Sequence, residues 1–84
     1  MRKYFVIDKK GTHWKEEILW NSVKEIADSI RDYDDYDDET HGKLTNSALI
    51  ELWDFEYHRF TPANCIKYGV KPSDFGMHEV DLYA

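Results

Sequence analysis

Apolar and polar positions alternate along the first part of the chain. Residues 3–8 are rich in β-branched and aromatic side chains and are followed by Lys-Lys-Gly at 9–11, which predicts a strand and a hairpin turn. Residues 13–20 place Trp and Ile side chains on one face at a period of two, which favours a second strand. A helical stripe from residue 19 onward also fits. Asn21-Ser22 offers a new helix start, so we prefer the hairpin.

The next segment changes to a helical period. Ser22 and Glu25 have the spacing of a capping box. Apolar residues follow at the i, i+3, i+4 and i+7 positions, namely Val23, Ile26, Ala27 and Ile30. Arg31 suits a last helical turn, whereas acids from residue 32 onward oppose the helix dipole. This pattern predicts the principal helix, ending near residues 31–34.

The second half of the chain contains four shorter segments with clear start and stop signals. In chain order they predict a short helix over 45–52, a strand over 52–60, a short helix over 62–68 and a terminal strand over 78–83. Turns separate the last two. Eighty-four residues bury about two thirds of their unfolded surface, enough for one core. We therefore expect one α+β domain over residues 1–84, with an antiparallel sheet of three to four strands, one principal helix and one or two short helices.

The net charge of −6 is concentrated in one stretch of the chain. Residues 1–31 carry seven Lys and Arg against five Asp and Glu, or +2, and residues 42–84 carry four against six, or −2. Six acids and no basic residue lie within residues 32–39, so the charge of this run alone equals the net charge of −6 of the whole chain. A negative domain is repelled by nucleic acids and anionic membranes, and we expect it to bind neither. Its electrostatic partner is a basic protein surface.

Cysteine content and hydropathy indicate a reducing, cytosolic setting. The single cysteine, Cys65, excludes an internal disulfide, which is typical of a reducing compartment. The apolar run at residues 4–7 is too short for a signal peptide, and no apolar run approaches the ~18 residues of a membrane span.

Candidate catalytic and metal sites lack their required residues. An EF-hand starting at Asp35 has acids at loop positions 1, 3 and 5, but Thr40 replaces the required glycine and Asn46 the bidentate glutamate. Weak divalent binding by clustered carboxylates stays an alternative. The four histidines, at positions 13, 41, 58 and 78, have no metal-ligand spacing. Cys65 is expected to be a small buried side chain, and no nucleotide-binding or nucleophile motif is present. We therefore expect a protein that is not an enzyme and needs no cofactor.

The acidic run favours recognition, with a solvated loop as the alternative. Its carboxylates would be spaced about 2 Å apart on a helix or 4 Å on a strand, which brackets the ~3.4 Å phosphate repeat of one DNA strand. Tyr36 is predicted to be an exposed apolar anchor, and Tyr33 is either exposed or part of the core at the helix end. The predicted partner-binding residues are Asp32, Asp34, Asp35, Tyr36, Asp37, Asp38 and Glu39.

In size and charge layout, with the run from Asp32 to Glu39, the chain resembles the small acidic anti-defence proteins of phages and mobile elements. These include DNA-mimicking antirestriction proteins and anti-CRISPR proteins. The resemblance implies inhibition by occupancy, in which carboxylates fill a basic groove of a Cas or restriction nuclease in the bacterial cytoplasm. The inhibitor would be a monomer or a homodimer. The alternative is a structural or assembly protein of a phage or mobile element that joins its partners through the aromatic sheet residues Trp14, Trp20 and Trp53.

Overall fold

The computed structural model describes residues 3–9 and 18–77. The elements are, in chain order, strand β1 (Tyr4–Asp8), helix α1 (Val23–Arg31), helix α2 (Asp38–His41), helix α3 (Asn46–Leu52), strand β2 (Phe55–Arg59), helix α4 (Pro62–Tyr68) and a 3-10 helix (Pro72–Phe75). Most of the strand predicted over 13–20, and all of the strand predicted over 78–83, lie outside the described residues.

The predicted sheet of three to four strands is wrong. Within the described residues, β1 and β2 form a two-stranded antiparallel sheet in which Val6 lies opposite Tyr57. On the other edge of β1, the backbones of Tyr4 and Trp20 exchange two hydrogen bonds of 2.8 Å. That contact is an isolated bridge, and Ser22 caps α1 two residues after Trp20. The α+β class is confirmed.

The predicted number of helices is also wrong. Three helices accompany α1 in the described part of the chain, where one or two were expected. The additional helix is α2, which lies inside the acidic run at Asp38–His41. It forms because Asp37 supplies an N-cap, so an acidic residue starts a helix where a loop was expected.

One face of the sheet packs against α1 and α3. Val6 projects from β1 into a cluster of buried residues from both helices: Ile26, Ala27, Ile30, Leu49 and Ile50. Tyr57 from β2 packs against this cluster, and its hydroxyl lies 3.0 Å from the Ser47 hydroxyl on α3. Because side chains alternate along a strand, the neighbouring residues of β1 face the opposite side. The larger core therefore lies between the sheet and these two helices.

The opposite face of the sheet packs against α4 and the segment that follows it. Phe5 and Ile7 form a second buried cluster with Cys65 from α4 and with Val70. Gly69 ends α4 with a φ of 68°, a left-handed conformation that favours glycine. The sheet is thus covered by helical segments on both faces.

Side-chain caps start three of the four α-helices at the positions that the sequence predicts. Hydroxyl oxygens of Ser22, Thr45 and Thr61 accept hydrogen bonds of 3.1 to 3.2 Å from backbone N–H groups three residues later. The other half of the predicted capping box differs, because the Glu25 carboxylate accepts a hydrogen bond from Asn21 Nδ2 at 3.3 Å. Across the described residues, no helix has both the length and the apolar character that spanning a membrane requires.

Candidate functional site

The acidic run forms an ordered corner between α1 and α3. We call residues 32–41 the acidic corner. Helix α1 ends at Arg31, as predicted, and the chain then turns through hydrogen bonds from Tyr33 N–H to the Ile30 carbonyl at 2.9 Å and from Tyr36 N–H to the Tyr33 carbonyl at 3.1 Å. Successive backbone hydrogen bonds of this kind fix the path of the turn.

Two tyrosines attach the acidic corner to the core. Tyr33 and Tyr36 are half-buried and pack against the α1–α3 cluster. Tyr36 is therefore less exposed than predicted. Its ring centroid lies 5.5 Å from that of His41 and 6.3 Å from that of Trp53. Its hydroxyl donates to Asp38 Oδ1 at 2.8 Å, and this bond raises the pKa of the Tyr36 phenol.

Two of the six acids hold the acidic corner together. Asp37 accepts hydrogen bonds from the Thr40 hydroxyl at 2.8 Å and from the Glu39 backbone N–H at 3.2 Å. These bonds stabilise the carboxylate, so the pKa of Asp37 is lowered, chiefly by the Thr40 hydroxyl. Asp38 accepts the Tyr36 hydroxyl. Both side chains remain exposed and add negative charge to the surface.

The other four acids point to solvent. They are Asp32, Asp34, Asp35 and Glu39, and all four are exposed. Within the described ranges, none of their carboxylates takes part in a hydrogen bond or an ion pair. The acidic corner therefore presents uncompensated negative charge on a defined backbone.

Arg31 stabilises the acidic corner by linking the two helices that flank it. Its Nη1 donates to Asp28 Oδ1 at 2.9 Å, and its Nη2 donates to Asn46 Oδ1 at 2.9 Å, which ties the end of α1 to the start of α3. The pKa of Asp28 is lowered by its hydrogen bond to Lys24 and, to a smaller extent, by Arg31. The guanidinium thus fixes the two helices that flank the corner.

A surface hollow lies beside the acidic corner. We call it the Trp53 hollow; its volume is about 400 Å³, and it is lined by Asp35, His41, Leu52, Trp53 and Asp54. The Trp53 and His41 rings meet edge to face, with centroids 5.0 Å apart. Asp54 follows α3 with a φ of 61°, a left-handed conformation that Asp adopts more readily than most residues.

Two residues that line the Trp53 hollow were predicted from the sequence to contact partners: Asp35 in the acidic run, and Trp53 in the alternative assembly protein. The other three come from α2 and from the end of α3, and periodicity does not reveal that these elements meet. One local signal pointed to Asp54: an Asp that follows the last turn of a helix is consistent with a left-handed residue at the C-terminal end.

A second groove, of about 380 Å³, lies along β2 and α3 and is lined by Lys9, Ser47, Ile50, Glu51, Phe55, Glu56, Tyr57 and His58. Its charged groups pair with each other: Lys9 Nζ lies 3.7 Å from Glu51 Oε1, and His58 Nε2 lies 3.3 Å from Glu56 Oε2. Because both carboxylates of this groove already have a side-chain partner, the groove offers fewer free carboxylates to a partner than the Trp53 hollow does.

Packing contacts mainly determine the positions of the residues that were considered as catalytic candidates. Cys65 is buried in the second core, and this burial raises the pKa of its thiol. His58 stacks on Tyr68 with ring centroids 4.0 Å apart. His13 and His78 lie outside the described residues. In the part of the chain that the structure describes, no group of three or more His, Cys, Asp or Glu side chains could hold a metal ion.

Comparison of the chain with protein-family models, with curated proteins and with solved structures found no match. The geometry and charge of the acidic corner and of the Trp53 hollow are therefore the features that bear on function.

Proposed function

We propose that this chain is a small acidic inhibitor that binds a basic nucleic-acid-binding surface of another protein, such as a Cas or restriction nuclease. The observation that carries the proposal is the set of four exposed acids, Asp32, Asp34, Asp35 and Glu39, which have no side-chain partner among the described residues. A carboxylate already neutralised by a basic side chain of the same protein has little charge to offer a partner. These four remain available for Arg and Lys side chains.

The anchoring of the corner supports the same proposal. A loop that orders only on binding loses conformational freedom, and that loss reduces affinity. Here Tyr33 and Tyr36 pack on the core and Asp37 caps α2, so the backbone carrying the acids is fixed before any partner arrives. Preorganised charge favours rapid association with an oppositely charged surface.

The proposed mechanism is occupancy. Carboxylates of the acidic corner pair with the Arg and Lys side chains that otherwise hold phosphates, and the target is then unable to engage DNA. Asp37 and Asp38 contribute charge to this surface in addition to their bonds within the corner. The inhibitor performs no chemistry and needs no cofactor. It would act in the bacterial cytoplasm, as a monomer or a homodimer, without binding nucleic acid or membranes itself.

A pull-down with charge-matched variants tests the proposal. One bait carries Asp34→Asn and Asp35→Asn; its control carries Glu25→Gln and Glu51→Gln, which remove the same charge from α1 and α3. Each bait is incubated with bacterial lysate and washed over a salt series. We expect the wild type and the control to capture a protein that added duplex DNA releases, and capture to weaken with salt. The Asp34/Asp35 variant should lose it. Equal recovery by both double variants at every salt concentration would refute the proposal.

A further inference from the structure

The Trp53 hollow combines an aromatic floor with acids on its rim. We propose that it receives an arginine side chain of the protein partner; this rests on the proposed function, because it names the basic group that the acidic surface takes up. Three properties of the hollow carry the proposal: the Trp53 ring, the charge of Asp35 and Asp54, and the exposed apolar surface of Leu52.

The floor of the hollow suits a flat cation. Trp53 is half-buried and is supported by His41, whose ring meets it edge to face at 5.0 Å. A guanidinium lies favourably over an indole face, both as a cation above the ring and as a stacked plane. Leu52, which is 55% exposed, borders the same hollow and offers an apolar surface to the methylene groups of the incoming side chain.

The rim of the hollow is negative. Asp35 comes from the acidic corner and Asp54 from the end of α3, and both are exposed. Among the described residues, neither carboxylate forms an ion pair. In the groove along β2, by contrast, Glu51 and Glu56 each face a basic side chain. Of these two depressions, the Trp53 hollow is therefore the one that attracts a cation from another molecule.

The imidazole of His41 also lines the hollow. The backbone N–H of Asp37 donates to His41 Nδ1 at 3.1 Å, which helps to fix the ring beside Trp53. Among the described residues, the lining of the hollow therefore contains two carboxylates, one indole and no Lys or Arg side chain.

Arginine fits these properties better than lysine does. Its guanidinium is planar, less strongly hydrated than an ammonium group and able to donate to two carboxylates at once. The ammonium group of lysine would gain the same charge attraction but would lose the stacking on Trp53. An uncharged isostere of arginine would lose the attraction of the rim.

Binding of a small probe tests the site without the partner. Blocked arginine, with an acetylated amine and an amidated carboxyl group, is titrated to millimolar concentration into the full chain while the indole N–H signal of Trp53 is followed by NMR. The Trp53→Phe variant assigns this signal. We expect a saturable shift with blocked arginine, weaker binding of blocked lysine and no binding of blocked citrulline.

Charge variants locate the site. Asp54→Asn keeps a residue that tolerates the left-handed backbone and removes one rim charge, so we expect binding to weaken by roughly twofold to fivefold, the range of exposed ion pairs. Glu25→Gln, on the first turn of α1, removes the same charge elsewhere and should leave binding unchanged. The site is refuted if the Trp53 signal does not move, if citrulline binds equally well, or if Glu25→Gln weakens binding as much as Asp54→Asn.

The docking site and the proposed function can be refuted independently of each other. A chain that captures a DNA-competed partner but does not bind blocked arginine refutes the docking site alone. A chain that binds blocked arginine but recovers the same proteins with both double variants refutes the proposed function alone.

Discussion

Asp37 and His41 are joined by two hydrogen bonds that close the single turn of α2. The backbone N–H of Asp37 donates to His41 Nδ1 at 3.1 Å, and the backbone N–H of His41 donates to the Asp37 carbonyl at 2.8 Å. A four-residue helix has little stability by itself, since helix nucleation is unfavourable. These bonds and the Asp37 cap therefore hold the part of the acidic corner that faces Trp53.

Acid should open α2. The pKa of Asp37 is lowered in the folded protein, chiefly by the Thr40 hydroxyl, so its contribution is fully present above the unfolded value of about 3.9. That contribution is lost as the pH falls through the lower, folded pKa. NMR signals of the Glu39 and Thr40 amides should shift together below pH ~4. Asp37→Asn, which still caps a helix, should remove this step; an unchanged titration would contradict the assignment.

Gly42 should resist replacement by alanine. A Cβ atom at this position would lie 2.5 Å from the Asp38 carbonyl oxygen, a backbone atom that cannot move without opening α2. We expect Gly42→Ala to lower the free energy of unfolding by about 1–3 kcal/mol, as for other overpacked positions. Urea denaturation measures the change. Lys43→Ala, at the next and exposed position, should stay within about 0.5 kcal/mol of the wild type; equal stabilities for the two variants would count against the close approach.

Two isoleucines give a matched test of the larger core. Ile30 on α1 is 0% exposed, whereas Ile66 on α4 is 84% exposed. Ile30→Ala should destabilise the protein by roughly 2–5 kcal/mol, because it removes buried contacts and leaves a cavity. Ile66→Ala should change stability by less than about 0.5 kcal/mol. Chemical denaturation of both variants checks the packing, and similar losses at the two positions would be incompatible with it.

The left-handed backbone at Asp54 predicts an order of stabilities. Its φ of 61° disfavours residues with a Cβ, by about 1–2 kcal/mol for an ordinary side chain. Asp54→Gly should therefore be more stable than Asp54→Ala by roughly that amount, and Asp54→Asn should stay near the wild type. Thermal unfolding measures the order of stability of the three variants. If alanine and glycine proved equal, the backbone at this position would not be left-handed in solution.

Local signals in the sequence predicted the helix starts but not the sheet. Ser22, Thr45 and Thr61 cap their helices through bonds that span three residues, so the sequence contains the whole interaction. The pairing of β1 with β2 joins residues about fifty positions apart, and the alternation of side chains does not indicate which strands meet. Of the strand expected over 13–20, the described residues 18–20 contribute one bridge, between Trp20 and Tyr4.

The acidic corner was predicted as a charged surface without its internal structure. Asp37 was counted as one acid among six, although the same residue type is a strong helix N-cap. Tyr36 was expected to be exposed because tyrosine suits interfaces, but the ring packs beside His41 and Trp53, which belong to other elements. Contacts between elements of this kind follow from the tertiary fold and have no local signal.

The inward tyrosines and outward acids of the corner separate what keeps the protein folded from what it presents to others. Asp34, Asp35 and Glu39 make no side-chain bond within the described residues, so their replacement leaves the attachment through Tyr33 and Tyr36 intact. Under the proposed function, these three positions could change in step with the surface of the partner, while Tyr33, Tyr36 and Asp37 keep the corner folded.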